Sequence, residues 1–96
     1  LNGITPLCLA SYLGKSDVVS VLIKEGGANV DATDSNGATP LMYAARDGHE
    51  NIVQLLLEYG AKVDTVDCNA WSSLQYSRAY PGITRLLEEH LRKSRQ

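Results

Sequence analysis

Apolar residues between positions 50 and 58 recur at three- and four-residue spacings: Ile52, Val53, Leu55, Leu56 and Leu57. That periodicity predicts a helix with one broad buried face. A shorter helix is predicted just before it. Thr39 is placed to cap it, and Pro40 stands at the first helical position, where a missing N–H costs nothing. Small Ala44 and Ala45 let this helix pack closely, Gly48 ends it, and Gly60 stops the longer one. The polar stretches 29–37 and 62–70 read as extended hairpins, with Asp34-Ser35-Asn36-Gly37 as a turn signal.

The pattern repeats. Thr5-Pro6-Leu7 returns 34 residues later as Thr39-Pro40-Leu41, and 33 later again as Ser72-Ser73-Leu74. Ile52 matches Ile83 at an offset of only 31, so the third unit is two residues short around Tyr80-Pro81-Gly82. Units of this size cannot bury their apolar faces alone and must stack. The expectation is one all-α repeat solenoid of helix–turn–helix–hairpin units, at residues 1–33, 34–66 and 67–96.

In order and spacing, Thr-Pro-Leu, Ala44-Ala45, Gly48-His49, the Leu55-Leu56-Leu57 triplet and Gly60-Ala61 resemble the ankyrin repeat family. The resemblance implies L-shaped units and a concave binding surface of hairpin tips and first helices, usually for a protein partner. Carried onto this chain, the tips give Ile4, then Ser35, Asn36 and Ala38, then Cys68, Asn69 and Trp71. The first helices give Tyr12 and Leu13, then Arg46 and Asp47, then Ala79 and Tyr80.

Departures from the pattern are informative. Cys8 and Met42 stand where the family has a histidine that ties its turn together, which implies some loss of rigidity. In the third unit Ala70 replaces the turn glycine, Ser73 the proline, Arg78 an alanine and Pro81 the helix-ending glycine. Ala70 disfavours positive φ by about 1 kcal/mol, so a different turn is expected there. Leu86, Leu87 and Leu91, backed by charge, predict a final helix from Ile83 to about Lys93 that closes the stack as a cap. Leu9, Val18 and Leu22 have no predicted cover, so further units are expected to precede this segment, as in the carboxy-terminal part of a longer array.

Charge and chemistry narrow the function. The net charge of −2 divides as −1, −3 and +2 over the three units. Arg92, Lys93 and Arg95 make the end basic, but Glu88 and Glu89 interrupt the run, so nucleic acid is not expected. No apolar run reaches a membrane span and no signal segment is visible. Cys8 and Cys68 form no CxxC and read as small apolar fillers in a reducing, cytoplasmic or nuclear compartment. His49 and His90 lie 41 residues apart without ligand spacing, so no metal is expected. His49 reads as structural or solvent-exposed. No cofactor is implied, because Gly26-Gly27 lacks the features of a phosphate loop. Nor is there a nucleophile elbow or a paired acid and base, so an enzyme is not expected.

What remains is a protein-interaction module, or alternatively a spacer or regulatory scaffold holding neighbouring domains of the same protein. Trp71 has two readings: a partner anchor worth about 2 kcal/mol or more, or a patch over the altered third turn. Tyr12 and Tyr80 divide in the same way between partner contact and local packing. Arg46 and Asp47 read as a charge selector or a solvated surface. Tyr43 and Tyr76 read as structural.

Overall fold

The computed structural model describes residues 3–94. Six helices follow in pairs: α1 (Pro6–Leu13) with α2 (Ser16–Lys24), α3 (Pro40–Arg46) with α4 (Glu50–Glu58), and α5 (Ser73–Tyr76) with α6 (Pro81–Ser94). A 3₁₀ turn over Ser77–Ala79 joins the last pair. No strand forms among the described residues; the predicted hairpins are fingers closed by a few turn hydrogen bonds. First helices pack on first helices and second on second, so the stack is continuous through all three units.

The caps follow from the residues. Thr5 Oγ1 accepts the Cys8 N–H at 3.1 Å, and Thr39 Oγ1 accepts the Met42 N–H at 3.2 Å. The residue three beyond each cap answers in its own way. Met42 Sδ accepts the Thr39 N–H at 3.4 Å, and Gln75 Oε1 accepts the Ser72 N–H at 2.6 Å. Cys8 Sγ reaches sideways to the carbonyls of Ala32 and Ala38 at 3.6 and 3.7 Å. Thus sulfur groups hold the turns where the family pattern has a histidine.

The middle unit carries the core, with Leu41, Ala44, Ala45, Val53 and Leu56 fully buried. Register explains which faces are covered. Ile52 and Ile83 are 1% and 2% exposed because the preceding unit lies against them; Val18, in the same register, is 47% exposed. Leu56 and Leu87 are likewise buried, whereas Leu22 is half-buried. Leu9, Leu13 and Val21 extend this open apolar face.

At the other end, Arg78 is exposed and lies over the Trp71 ring, 5.9 Å from its centroid. α6 buries Ile83 and Leu87 and turns charge outward.

Candidate partner-binding surface

The second and third fingers are each built around one aspartate. Asp34 Oδ1 accepts the N–H groups of Asn36 and Ala38, both at 2.9 Å, which makes an Asx turn. Its second oxygen takes the Tyr43 hydroxyl. Asp67 repeats the arrangement: Oδ1 accepts the N–H groups of Asn69 at 2.9 Å and Trp71 at 3.1 Å, and Oδ2 takes the Tyr76 hydroxyl. The two fingers are joined where the Cys68 N–H meets the Asn36 carbonyl at 2.9 Å. A carboxylate thus latches each of these two fingers to the first helix of its own unit.

The latch sets the protonation of its members. Burial works to raise Asp34, but the Tyr43 hydroxyl and the Ala38 and Asn36 amides outweigh it and hold the carboxyl below its ordinary value. The same balance, through Tyr76, Trp71 and Asn69, lowers Asp67. The phenols move the other way. Burial, then the bond to Asp67 and its charge, push Tyr76 up to about 12; burial and Asp34 raise Tyr43 further. At neutral pH both carboxylates are charged and both phenols are neutral.

Beside the latches runs a row of rings and guanidinium groups. Tyr12 and Tyr43 meet edge to face, with centroids 5.9 Å apart. The Arg46 guanidinium lies 5.4 Å from the Tyr12 centroid and 5.3 Å from that of Tyr43. Its Nε pairs with Asp47 Oδ1 at 3.2 Å. Trp71 rests on Tyr76, centroids 5.2 Å apart, beneath Arg78. Between the second and third fingers this row borders a cavity of about 260 Å³, lined by residues including Asp34, Met42, Tyr43, Arg46, Asp67 and Tyr76.

The residues mapped from the sequence fall into several groups. Asn36, Ala38, Arg46, Cys68 and Asn69 line the cavity. Tyr12 joins Arg46 at its edge, and Asp47 anchors the guanidinium. Ile4 is half-buried on the first finger, and Leu13 is exposed at the end of α1. Trp71 is 36% exposed yet packed on both sides, so it does patch the third finger while keeping an open edge. Ala79 is exposed in the 3₁₀ turn.

Three expectations need correction. Tyr80 does not belong to the first-helix row. It precedes α6 as His49 precedes α4, and both rings cover a glycine of the unit before. A Cβ on Gly48 would come within 2.5 Å of the Tyr80 ring; one on Gly14 would come within 2.7 Å of the His49 ring. The two-residue deletion removed the glycine end of the first helix and drew Tyr80 into the histidine's place. Ala70 does not change the turn either: at φ 62 it donates to the Asp67 carbonyl at 2.9 Å, as Gly37 donates to Asp34 at 3.0 Å. Asp67 and Tyr76 clamp the loop tightly enough to hold the unfavourable conformation. Cys68 is no filler but exposed on the third finger, whereas Cys8 is buried. Tyr43 and Tyr76 are structural, as expected, and they also line the cavity. Their signal was an aspartate nine residues before each tyrosine, in two successive units.

Among the described residues no three His, Cys, Asp or Glu side chains converge as metal ligands, and no helix is long and apolar enough to cross a membrane.

Comparison with known proteins agrees with this architecture. A family model described as "Ankyrin repeats (3 copies)" matches residues 1–67. Glycerophosphocholine phosphodiesterase GDE1 of Candida albicans is 38% identical over 86 residues, 86% of this chain and 7% of that protein. SH3 and multiple ankyrin repeat domains protein 2 of Homo sapiens is 36% identical over 93 residues, 93% of this chain and 5% of that protein. Ankyrin repeat and SAM domain-containing protein 6 of Danio rerio is 41% identical over 58 residues, 60% of this chain and 8% of that protein. The chain spans less than a tenth of the length of each of these curated relatives.

Proposed function

Since the chain belongs to the ankyrin repeat family, whose repeats are generally protein–protein interaction modules, we propose that it binds a protein segment along its fingers and first helices. The observation that carries this reading is the row Tyr12–Arg46–Tyr43 beside a cavity that runs between two latched fingers. Rings held by neighbours and a guanidinium held by Asp47 present a preformed surface, so little ordering is required on binding. Trp71 adds an amphipathic edge at one side.

Site-directed photocrosslinking tests it. A crosslinker at Asn36 or Asn69, on the fingers, is expected to trap bound protein. The same group at Gln54, on the exposed side of α4, is expected to trap none. Equal yields from the two sides would refute the assignment.

A second reading is favoured by the open face of the first unit, where Leu13, Val18 and Val21 are exposed. The register of Val18 is the one that a preceding unit covers elsewhere in the stack, at Ile52 and Ile83. In this reading the face seats an upstream repeat or a neighbouring domain of a longer protein. Val18→Glu in that longer protein is then expected to lower its stability, and to change nothing in the segment alone.

A further inference from the structure

The cavity between the second and third fingers holds two carboxylates that no cation pairs with, and the cation in its lining, Arg46, is held on Asp47. Asp34 and Asp67 are only 9% and 8% exposed, and the ion pairs among the described residues are Arg46–Asp47 and Lys93–Glu89. The latch donors are neutral, namely backbone amides and phenol hydroxyls, so both negative charges persist in the wall. A carboxylate offers about four acceptor positions. Each aspartate uses two on Oδ1 and one on Oδ2, which leaves Oδ2 able to accept once more.

The same face already shows how it treats a guanidinium. Arg46 lies over Tyr12 and Tyr43 with one edge on Asp47, and this satisfies its charge within the chain. One unit on, the tyrosine recurs as Tyr76, but Ala79 stands in the register of Arg46. The second layer therefore supplies its own guanidinium over Tyr43, while in the third Arg78 lies over Trp71 and leaves Asp67 and the Tyr76 ring to a guanidinium from outside.

Size and lining agree. About 260 Å³ is less than the roughly 300–1,000 Å³ of small-molecule sites but ample for one long side chain. Buried Met42 offers apolar contact to a methylene stem. An acidic side chain would instead meet Asp34 and Asp67, with only the unpaired edge of Arg46 in compensation.

Building on the proposed binding of a protein segment, we propose that this cavity takes a basic side chain of that segment, arginine before lysine. Its guanidinium sits between the Asp34 and Asp67 carboxylates and against the Tyr76 ring. Arginine is preferred because its planar fork can reach two acceptors while its face stacks. The lining favours a cation too, since its charged groups are two carboxylates and the one guanidinium of Arg46, which Asp47 already pairs.

The test is an amide chemical-shift titration of the native chain with a capped five-residue Gly/Ser peptide that carries one central arginine. Saturable shifts are expected at the amides of Asn36, Cys68 and Asn69. The citrulline peptide, a neutral isostere, is expected to bind at least about tenfold more weakly, and Asp67→Asn to weaken the arginine peptide by about tenfold. Asn keeps the acceptor for the finger amides, and circular dichroism verifies that the variant is folded. Ala79→Arg fills the vacant register from within and is expected to exclude the peptide. Equal binding of citrulline, shifts elsewhere, or no effect of Asp67→Asn would overturn the assignment. A protein partner that crosslinks to the fingers yet is indifferent to Asp67→Asn would overturn it too, and would leave the broader proposal standing. Arginine-selective peptide binding without any crosslinked partner would do the opposite, supporting the cavity assignment and removing the broader proposal.

Discussion

The second and third fingers make one loop from different residues. Both start with an aspartate that binds two amides and a tyrosine hydroxyl, yet the positive-φ position is Gly37 in one and Ala70 in the other. The difference lies in what comes next to each. A Cβ on Gly37 would lie 3.3 Å from the Asp67 Cα, because the third finger packs against the second. Ala70 is exposed. Gly37 thus answers two demands, backbone conformation and close approach, whereas Ala70 answers only the first. The shape of a finger is set by the aspartate–tyrosine latch, and the glycine is needed where fingers meet.

The strongest way to break this comparison is to remove the latch. Asp34→Ala is expected to cost about 3 kcal/mol and Asp67→Ala about 2, since each leaves amides and a phenol without an acceptor and the middle finger has neighbours on both sides. Urea denaturation measures both, and an equal or reversed order would mean that position in the stack is irrelevant. Next comes Gly37→Ala, expected to cost about 2 kcal/mol from left-handed backbone plus crowding. A loss no larger than the conformational share would show that the finger-to-finger approach contributes nothing.

Replacing either phenol is a smaller perturbation. Tyr43→Phe and Tyr76→Phe are each expected to cost about 1 kcal/mol. They also change the pH profile. The carboxyls are lowered in the folded state, so their contribution is full above the ordinary carboxyl value, near 4, and fades as pH falls through the lowered one. Tyr76 is raised to about 12, so its contribution is full below the ordinary phenol value and fades as pH climbs through about 12. Phenolate absorbance is expected to show Tyr43 and Tyr76 ionising late, and Tyr76→Phe should remove one of these late steps. The smallest effect has the opposite sign. Ala70→Gly relieves the backbone and is expected to stabilise by about 0.5 kcal/mol, net of the greater freedom that glycine brings to the unfolded chain. Any destabilisation would mean that the alanine methyl makes a contact of its own.

The helices and their Thr-Pro caps were legible in the sequence, because local periodicity and capping chemistry set them. The latch was present only as a spacing between residues of different elements, and a tyrosine in an amphipathic helix reads as packing until its hydroxyl has a partner. Tyr80 was misplaced for a similar reason. A deletion can be located by counting, but which side chain closes the gap depends on the glycine that it must cover. Trp71 divided evenly because stacking on Tyr76 and exposure of one edge are both true of it.

The glycine-and-ring contacts make neighbouring units dependent on one another in a directional way. Gly14 must stay small because of His49, and Gly48 because of Tyr80, so the requirement on one unit is written in the next. Anyone recombining these units in a designed array would have to move each glycine with the ring that follows it. A domain cut at the turn between them would exchange a fitted joint for a collision.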